Sequence, residues 1–99
     1  MGNADDILRI RLTFDLRDNL VDFAIMLMTG PGGEEREAAR VDIRHTGLHA
    51  HWFSQEGEEL RREEIRPITK QAEVQGAYDE ALDRITGNWA EYKRRWRRG

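Results

Sequence analysis

The sequence predicts an α+β domain, an antiparallel meander of four to five strands packed against one long C-terminal helix. Three observations carry this expectation. Apolar and polar residues alternate through most of the N-terminal two thirds, the period of a strand with one buried face. From about Gln71 the apolar spacing changes to three and four, the period of an amphipathic helix. Clusters of Gly, Pro, Asn and Asp separate the alternating runs at hairpin spacing. A chain of 99 residues fits one domain, 1–99, with a modest core.

The first strand is expected at about 7–16, with Leu8, Ile10, Leu12, Phe14 and Leu16 on one face and Arg9, Arg11, Thr13 and Asp15 on the other. Arg17-Asp18-Asn19 forms a turn into a second strand at about 20–28, where Val21, Phe23, Ile25 and Leu27 alternate with Asp22, Ala24, Met26 and Met28. The two methionines read as packing filler. Residues 29–35, Thr-Gly-Pro-Gly-Gly-Glu-Glu, cannot sustain a ladder and read as a longer hairpin loop. No helix follows them and no Lys-Ser/Thr closes them, so they lack the context of a phosphate loop. The third strand is expected at about 37–44, with Ala39, Val41 and Ile43 inward, and the fourth at about 48–54. Beyond the Glu56-Gly57 turn, residues 58–65 are so charged that only an edge strand suits them.

The helix is expected over about 71–98, carried by Val74, Ala77, Tyr78, Ala81, Leu82, Ile85, Trp89, Tyr92 and Trp96. At ~1.5 Å per residue it would be about 40 Å long, against a radius of gyration of about 13 Å for such a domain. It therefore either overhangs the sheet or breaks at Gly87, with Asn88 and Glu91 able to restart it as a capping box. Ile85, Trp89, Tyr92 and Trp96 keep their phase through the glycine, which favours one continuous helix.

Composition narrows the function classes. Hydrophobic residues are 38% and charged residues 35%, a polar chain whose apolar residues are patterned rather than sparse. No apolar run approaches a membrane span. The N-terminus has neither the basic and apolar regions of a signal peptide nor the serine or threonine of a myristoylation motif. With no cysteine there is no disulfide or thiolate metal site. A cytoplasmic protein without membrane contact is expected. Net charge is −3, yet residues 93–98, Lys-Arg-Arg-Trp-Arg-Arg, hold five of the 16 basic residues and none of the 19 acidic ones. The charge pattern is that of an acidic body with a basic tip.

All three histidines fall in Asp42-Ile43-Arg44-His45-Thr46-Gly47-Leu48-His49-Ala50-His51. A four-residue loop, His45 to Leu48, would set Arg44 opposite His49 and Asp42 opposite His51. Paired residues share a sheet face. Asp42, His49 and His51 would then gather on one face, opposite Val41, Ile43, Ala50 and Trp52, with His45 at the loop's mouth. A register shifted by one would strand two imidazoles among the core residues. Two chemistries suit the set. Asp42, His45, His49 and His51 could ligate a divalent transition metal such as zinc, manganese, iron or nickel. Alternatively, two histidines beside an aspartate that orients one ring could work as general acid and base near neutral pH, an arrangement suited to metal-independent cleavage of RNA. A polar sheet face with three surface histidines is the plain structural alternative.

The spacing Asp42-x-x-His45-x-x-x-His49-x-His51, after two hairpin strands and before a helix bearing Asn88-Trp89 and Tyr92, resembles a family of small prokaryotic proteins. That family is distantly similar to the TumE-type toxins of toxin–antitoxin pairs, and the resemblance runs from about residue 8 to residue 98. It implies a strand-rich fold with a C-terminal helix and a helix-turn-helix antitoxin as partner. This chain departs from the pattern at Val41, Thr46 and Leu48, where an aromatic, a glycine and a proline are expected.

The helix end offers a second candidate surface. Lys93, Arg94, Arg95, Arg97 and Arg98 with Trp89, Tyr92 and Trp96 have the composition of an RNA or DNA contact. Cations at a helix C-terminus also satisfy the helix dipole. If the helix overhangs, Tyr92 and Trp96 need the cover of a second subunit, so a homodimer is expected. Asn88 could bond into the sheet or face solvent. Two functions follow from different classes. One is an Asp/His site, in an enzyme a hydrolase acting on nucleic acid, of the toxin-like nuclease kind. The other is a non-catalytic nucleic-acid-binding or protein-interaction module that dimerises through its helix.

Overall fold

The computed structural model describes residues 6–30, 34–44 and 47–98. Five strands, β1 (Ile7–Phe14), β2 (Leu20–Thr29), β3 (Arg36–Arg44), β4 (Gly47–Phe53) and β5 (Glu59–Pro67), form one antiparallel meander in the order β1-β2-β3-β4-β5. A short 3-10 turn, Gln71–Glu73, leads into α1 (Val74–Gly87) and α2 (Trp89–Arg98). The fold is α+β, an antiparallel meander followed by a helical C-terminal segment. No helix among the described residues is long and apolar enough to cross a membrane.

Turn chemistry sets the strand ends. β1 stops two residues short of the expected Leu16 because Asp15 organises the turn. Its carboxylate accepts the amides of Arg17 (2.8 Å) and Asn19 (3.0 Å). Those two amides hold the Asp15 carboxyl below the usual carboxylate range, Asn19 contributing more. Asp18 takes a positive φ of 62°, which aspartate tolerates better than most residues. At the β4–β5 turn Gly57 has φ 90°, while the buried Ser54 hydroxyl accepts the amides of Glu56 (3.3 Å) and Glu58 (3.2 Å).

The helices cover β2, β3 and β4 from one side. Phe23, Ile25, Leu27, Val41, Ala50 and Trp52 meet Val74, Ala77, Ala81, Ile85 and Tyr92 in a single core. Phe23 packs edge-on against Tyr78 (5.5 Å between centroids), and Trp52 against Tyr92 (5.6 Å). Ala77 and Ala81, both fully buried, are small residues on the face of α1 that packs on the sheet.

The helical segment is not one continuous helix. Asn88 leaves helical geometry (φ −124°, ψ 13°), so α1 and α2 are separate. The capping box that Asn88 and Glu91 could have formed at such a break is not made. The Asn88 side chain donates back to the Arg84 carbonyl (2.8 Å), closing α1, while Glu91 pairs with Arg94 and Arg95. The break lets α2 turn along the sheet instead of overhanging it. Tyr92 is consequently buried within its own chain, and the cover sought from a second subunit is supplied by Trp52.

Candidate functional site

The face of the sheet opposite the helices carries the histidines. β3 pairs with β4 through Arg44↔Gly47, Asp42↔His49 and Arg40↔His51. The connection is therefore two residues, 45–46, and not four, and Asp42 stands opposite His49 instead of His51. A slip of two residues keeps every side chain on its face. Asp42, His49 and His51 thus share one face, and Val41, Ala50 and Trp52 the other, as the alternation requires. Gly47 explains the tighter loop. A Cβ there would lie 3.0 Å from both His49 Cε1 and Glu64 Oε1, so only glycine extends the ladder beneath that ring without displacing it. Gly47→Ala is expected to push the His49 ring and the Glu64 carboxylate aside by a few tenths of an ångström and to lower stability by about 1 kcal/mol or less. A urea titration together with the His49 ring resonances in NMR checks both effects.

His51 is the centre of the site, 2% exposed although no helix covers this face. Its Nε2 lies 3.0 Å from Asp42 Oδ1 and its Nδ1 2.5 Å from Glu59 Oε1. The hydrogen bond to Asp42, helped by Glu59 and opposed by burial, holds its pKa above the ordinary 6.5. The protonated ring can donate from both nitrogens, one to each carboxylate, which is the form the raised pKa favours. Phe53 stacks beside it at 6.3 Å. Arg40 forks onto Glu37 (2.5 and 2.8 Å) and sits over the Phe53 ring (5.6 Å). His49 differs in every respect. It is partly exposed, its ring centroid is 6.3 Å from that of His51, and its buried Nδ1 has no hydrogen-bond partner among the described residues.

The structure thus brings together Asp42, His49 and His51, while His45 lies outside the described residues. Glu59 is the participant that sequence reasoning missed. It falls in the stretch whose charges were read only as an edge-strand signal. Its place across from Phe53 follows from a bulge between Trp52 and Phe53 that no residue pattern announces. Among the described residues no three His, Asp or Glu side chains are placed to hold one metal ion. To ligate a metal, His51 would have to give up one of its two carboxylates, the other remaining to orient the ring.

The basic tip is divided. Lys93 turns inward, 6% exposed, with its ammonium 3.1 Å from Asp6 Oδ1, which also accepts the Thr29 hydroxyl (2.9 Å). Arg95 is half-buried, bonds Glu91 (3.1 Å) and lies over the Trp52 ring (4.9 Å). Arg94 and Arg97 are exposed, Arg94 paired with Glu91 (2.7 Å), and Arg98 closes α2. Among the described side chains the cations are divided: Lys93, Arg94 and Arg97 border one hollow beside Trp89, and Arg95 lies apart from them. Arg95 belongs instead to the helix side, where it lines a cleft of about 320 Å³ with Arg84, Arg61, Glu63, Glu91 and Trp52. There Arg84 pairs with Glu63 at 3.0 Å, and burial pushes the neighbouring Tyr92 phenol up.

No curated protein and no solved structure matches the chain. DUF7718, a domain of unknown function, matches residues 2–99, and the chain belongs to that family.

Proposed function

We propose that the helix-free face of the sheet is a metal-independent acid–base site that cleaves phosphodiesters of single-stranded RNA. The observation that carries the reading is the buried Asp42–His51 dyad, 3.0 Å between Oδ1 and Nε2. In it Asp42 fixes the ring and stabilises its cation. Glu59 comes from an edge strand and is 43% exposed at its side chain. It is the replaceable partner, and a substrate oxygen can take its place at Nδ1–H. His49, with its unpartnered Nδ1, is the second proton-transfer group. Phe53 offers a stacking surface, and Arg62, exposed and across from His51, a phosphate contact. In a toxin-like setting the same face is what a helix-turn-helix antitoxin would cover.

An RNA-cleavage assay in excess chelator tests the reading. The wild-type chain is expected to cleave, and His49→Ala, His51→Ala and Asp42→Asn to lose about 10²-fold or more. Cleavage abolished by chelator and restored by a transition metal would replace this reading with a metal site built on Asp42, His45 and His49. Absence of cleavage under every condition, with RNA still bound, would leave a non-catalytic binding module.

A further inference from the structure

Two edges bound the sheet, and they differ in kind. β5 carries Glu59, Arg61, Arg62, Glu63 and Glu64, charges that deter pairing with another chain. β1 does the opposite. On its helix-side face Ile10, Leu12 and Phe14 are 40%, 42% and 52% exposed, and Leu16 in the next turn is fully exposed. The helices pack over β2, β3 and β4 and leave this row open. An apolar strand with an unpaired edge is an arrangement natural sheets avoid unless something pairs with it.

The geometry points to a second copy of this chain as the occupant, with β1 pairing antiparallel to β1 about a two-fold axis through Leu12 and the two sheets joining into one of ten strands. Charge and paired length together select the occupant and the register. An axis at Thr13 also matches Arg11 with the partner's Asp15, but pairs only residues 12–14 of β1 against 10–14 for an axis at Leu12. Antiparallel partners opposite one another share a face, so the symmetric pairings that keep the apolar row together are few. An axis at Ile10 sets Arg9 against the partner's Arg11, twice. An axis at Arg11 sets that residue against the partner's Arg11. An axis at Leu12 sets Arg9 against the partner's Asp15 and Arg11 against the partner's Thr13. In that register Leu12 meets the partner's Leu12 and Ile10 the partner's Phe14, while Leu8 points toward the turn that holds the partner's Leu16. Within the paired residues 10–14 of the strand every exposed apolar residue meets an apolar neighbour, and no two arginines face each other. The interface lies at the opposite edge from β5, so Glu59 and the histidine site stay accessible in the dimer.

Light scattering and sedimentation of the full chain test this. The wild type is expected at twice the chain mass. Leu12→Lys places two ammonium groups on the axis, and Arg9→Asp sets acid against acid. Both variants are expected at the monomer mass with unchanged circular dichroism. The chain has no cysteine, so single thiols report the register directly. Leu12→Cys is expected to form a disulfide dimer on mild oxidation, and Ile10→Cys to stay monomeric in denaturing gels. A wild type monomeric at the highest workable concentration, a dimer that both charge variants leave intact, or cross-linking through Ile10→Cys in place of Leu12→Cys would each overturn the proposal.

Discussion

Replacing Lys93 with alanine is expected to lower the unfolding free energy by about 3 kcal/mol, the usual result of leaving one member of a buried ion pair alone. The Lys93 side chain is 8% exposed and that of Asp6 is fully buried, so water cannot take over the lost contact. Among the described residues Asp6 would keep the Thr29 hydroxyl, one neutral donor for a carboxylate. The same substitution at Arg94, one residue on, is expected to cost less than about 0.5 kcal/mol, because its pair with Glu91 is solvated. Urea titrations of the two variants give the comparison. Replacing both partners, Asp6→Leu with Lys93→Met, is expected to recover most of the loss, since the desolvation of both charges disappears. The recovery stops about 1 kcal/mol short, because the Thr29 hydroxyl then has no acceptor. A large loss in Lys93→Ala with no recovery in the pair would mean that packing of the lysine stem against Trp89 matters more than its charge (Nζ lies 5.7 Å from that ring centroid).

Lys93 also shows what the chain discloses and what it hides. By composition it belongs to a basic tip. By spacing it stands four residues after Trp89 and eight after Ile85, on the stripe that faces the core. The spacing was the better guide, since a helix face is set by geometry whatever the residue type. The sheet was legible for the same reason. Alternation assigns each strand residue to a face, and it correctly placed Asp42, His49 and His51 together and away from Val41 and Trp52. Alternation is blind to slips of two, however, so the true partner of Asp42 depended on whether Gly47 joined the ladder. That depends on the space beneath the His49 ring, a tertiary fact. The interruption at Asn88 was hidden in a related way. The apolar phase from Ile85 to Trp96 runs on through it, because one residue outside helical dihedrals barely rotates the stripe. The outer half of β1 was hidden as well. Its row of leucines, isoleucine and phenylalanine reads as a buried face, yet the helices reach only as far as β2.

His51 carries the second large expectation, one whose sign depends on pH. Its folded pKa is raised above 6.5, so the folded state holds a proton that the unfolded chain releases. The stabilisation from the clamp is fully present below pH about 6.5, where both states are protonated. It is lost as pH rises through the raised folded value. His51→Gln removes the imidazolium while keeping a side chain able to bond one carboxylate. It leaves Asp42 and Glu59 facing each other without the charge between them. At pH 6 the variant is expected to be less stable than wild type by about 3 kcal/mol. The gap narrows steadily on the alkaline side, because only the wild type has that stabilisation to lose. Paired urea titrations from pH 5 to 9 isolate the contribution, since every other titrating group is common to both chains. The histidine ring resonance supplies an independent midpoint, expected above 6.5. A gap that stays constant with pH would show that His51 is held neutral and that its ring nitrogens do not both donate. The cation on which the proposed proton transfer depends would then be absent from the ground state, and the Asp42–His51 dyad would have to act as a base instead of an acid.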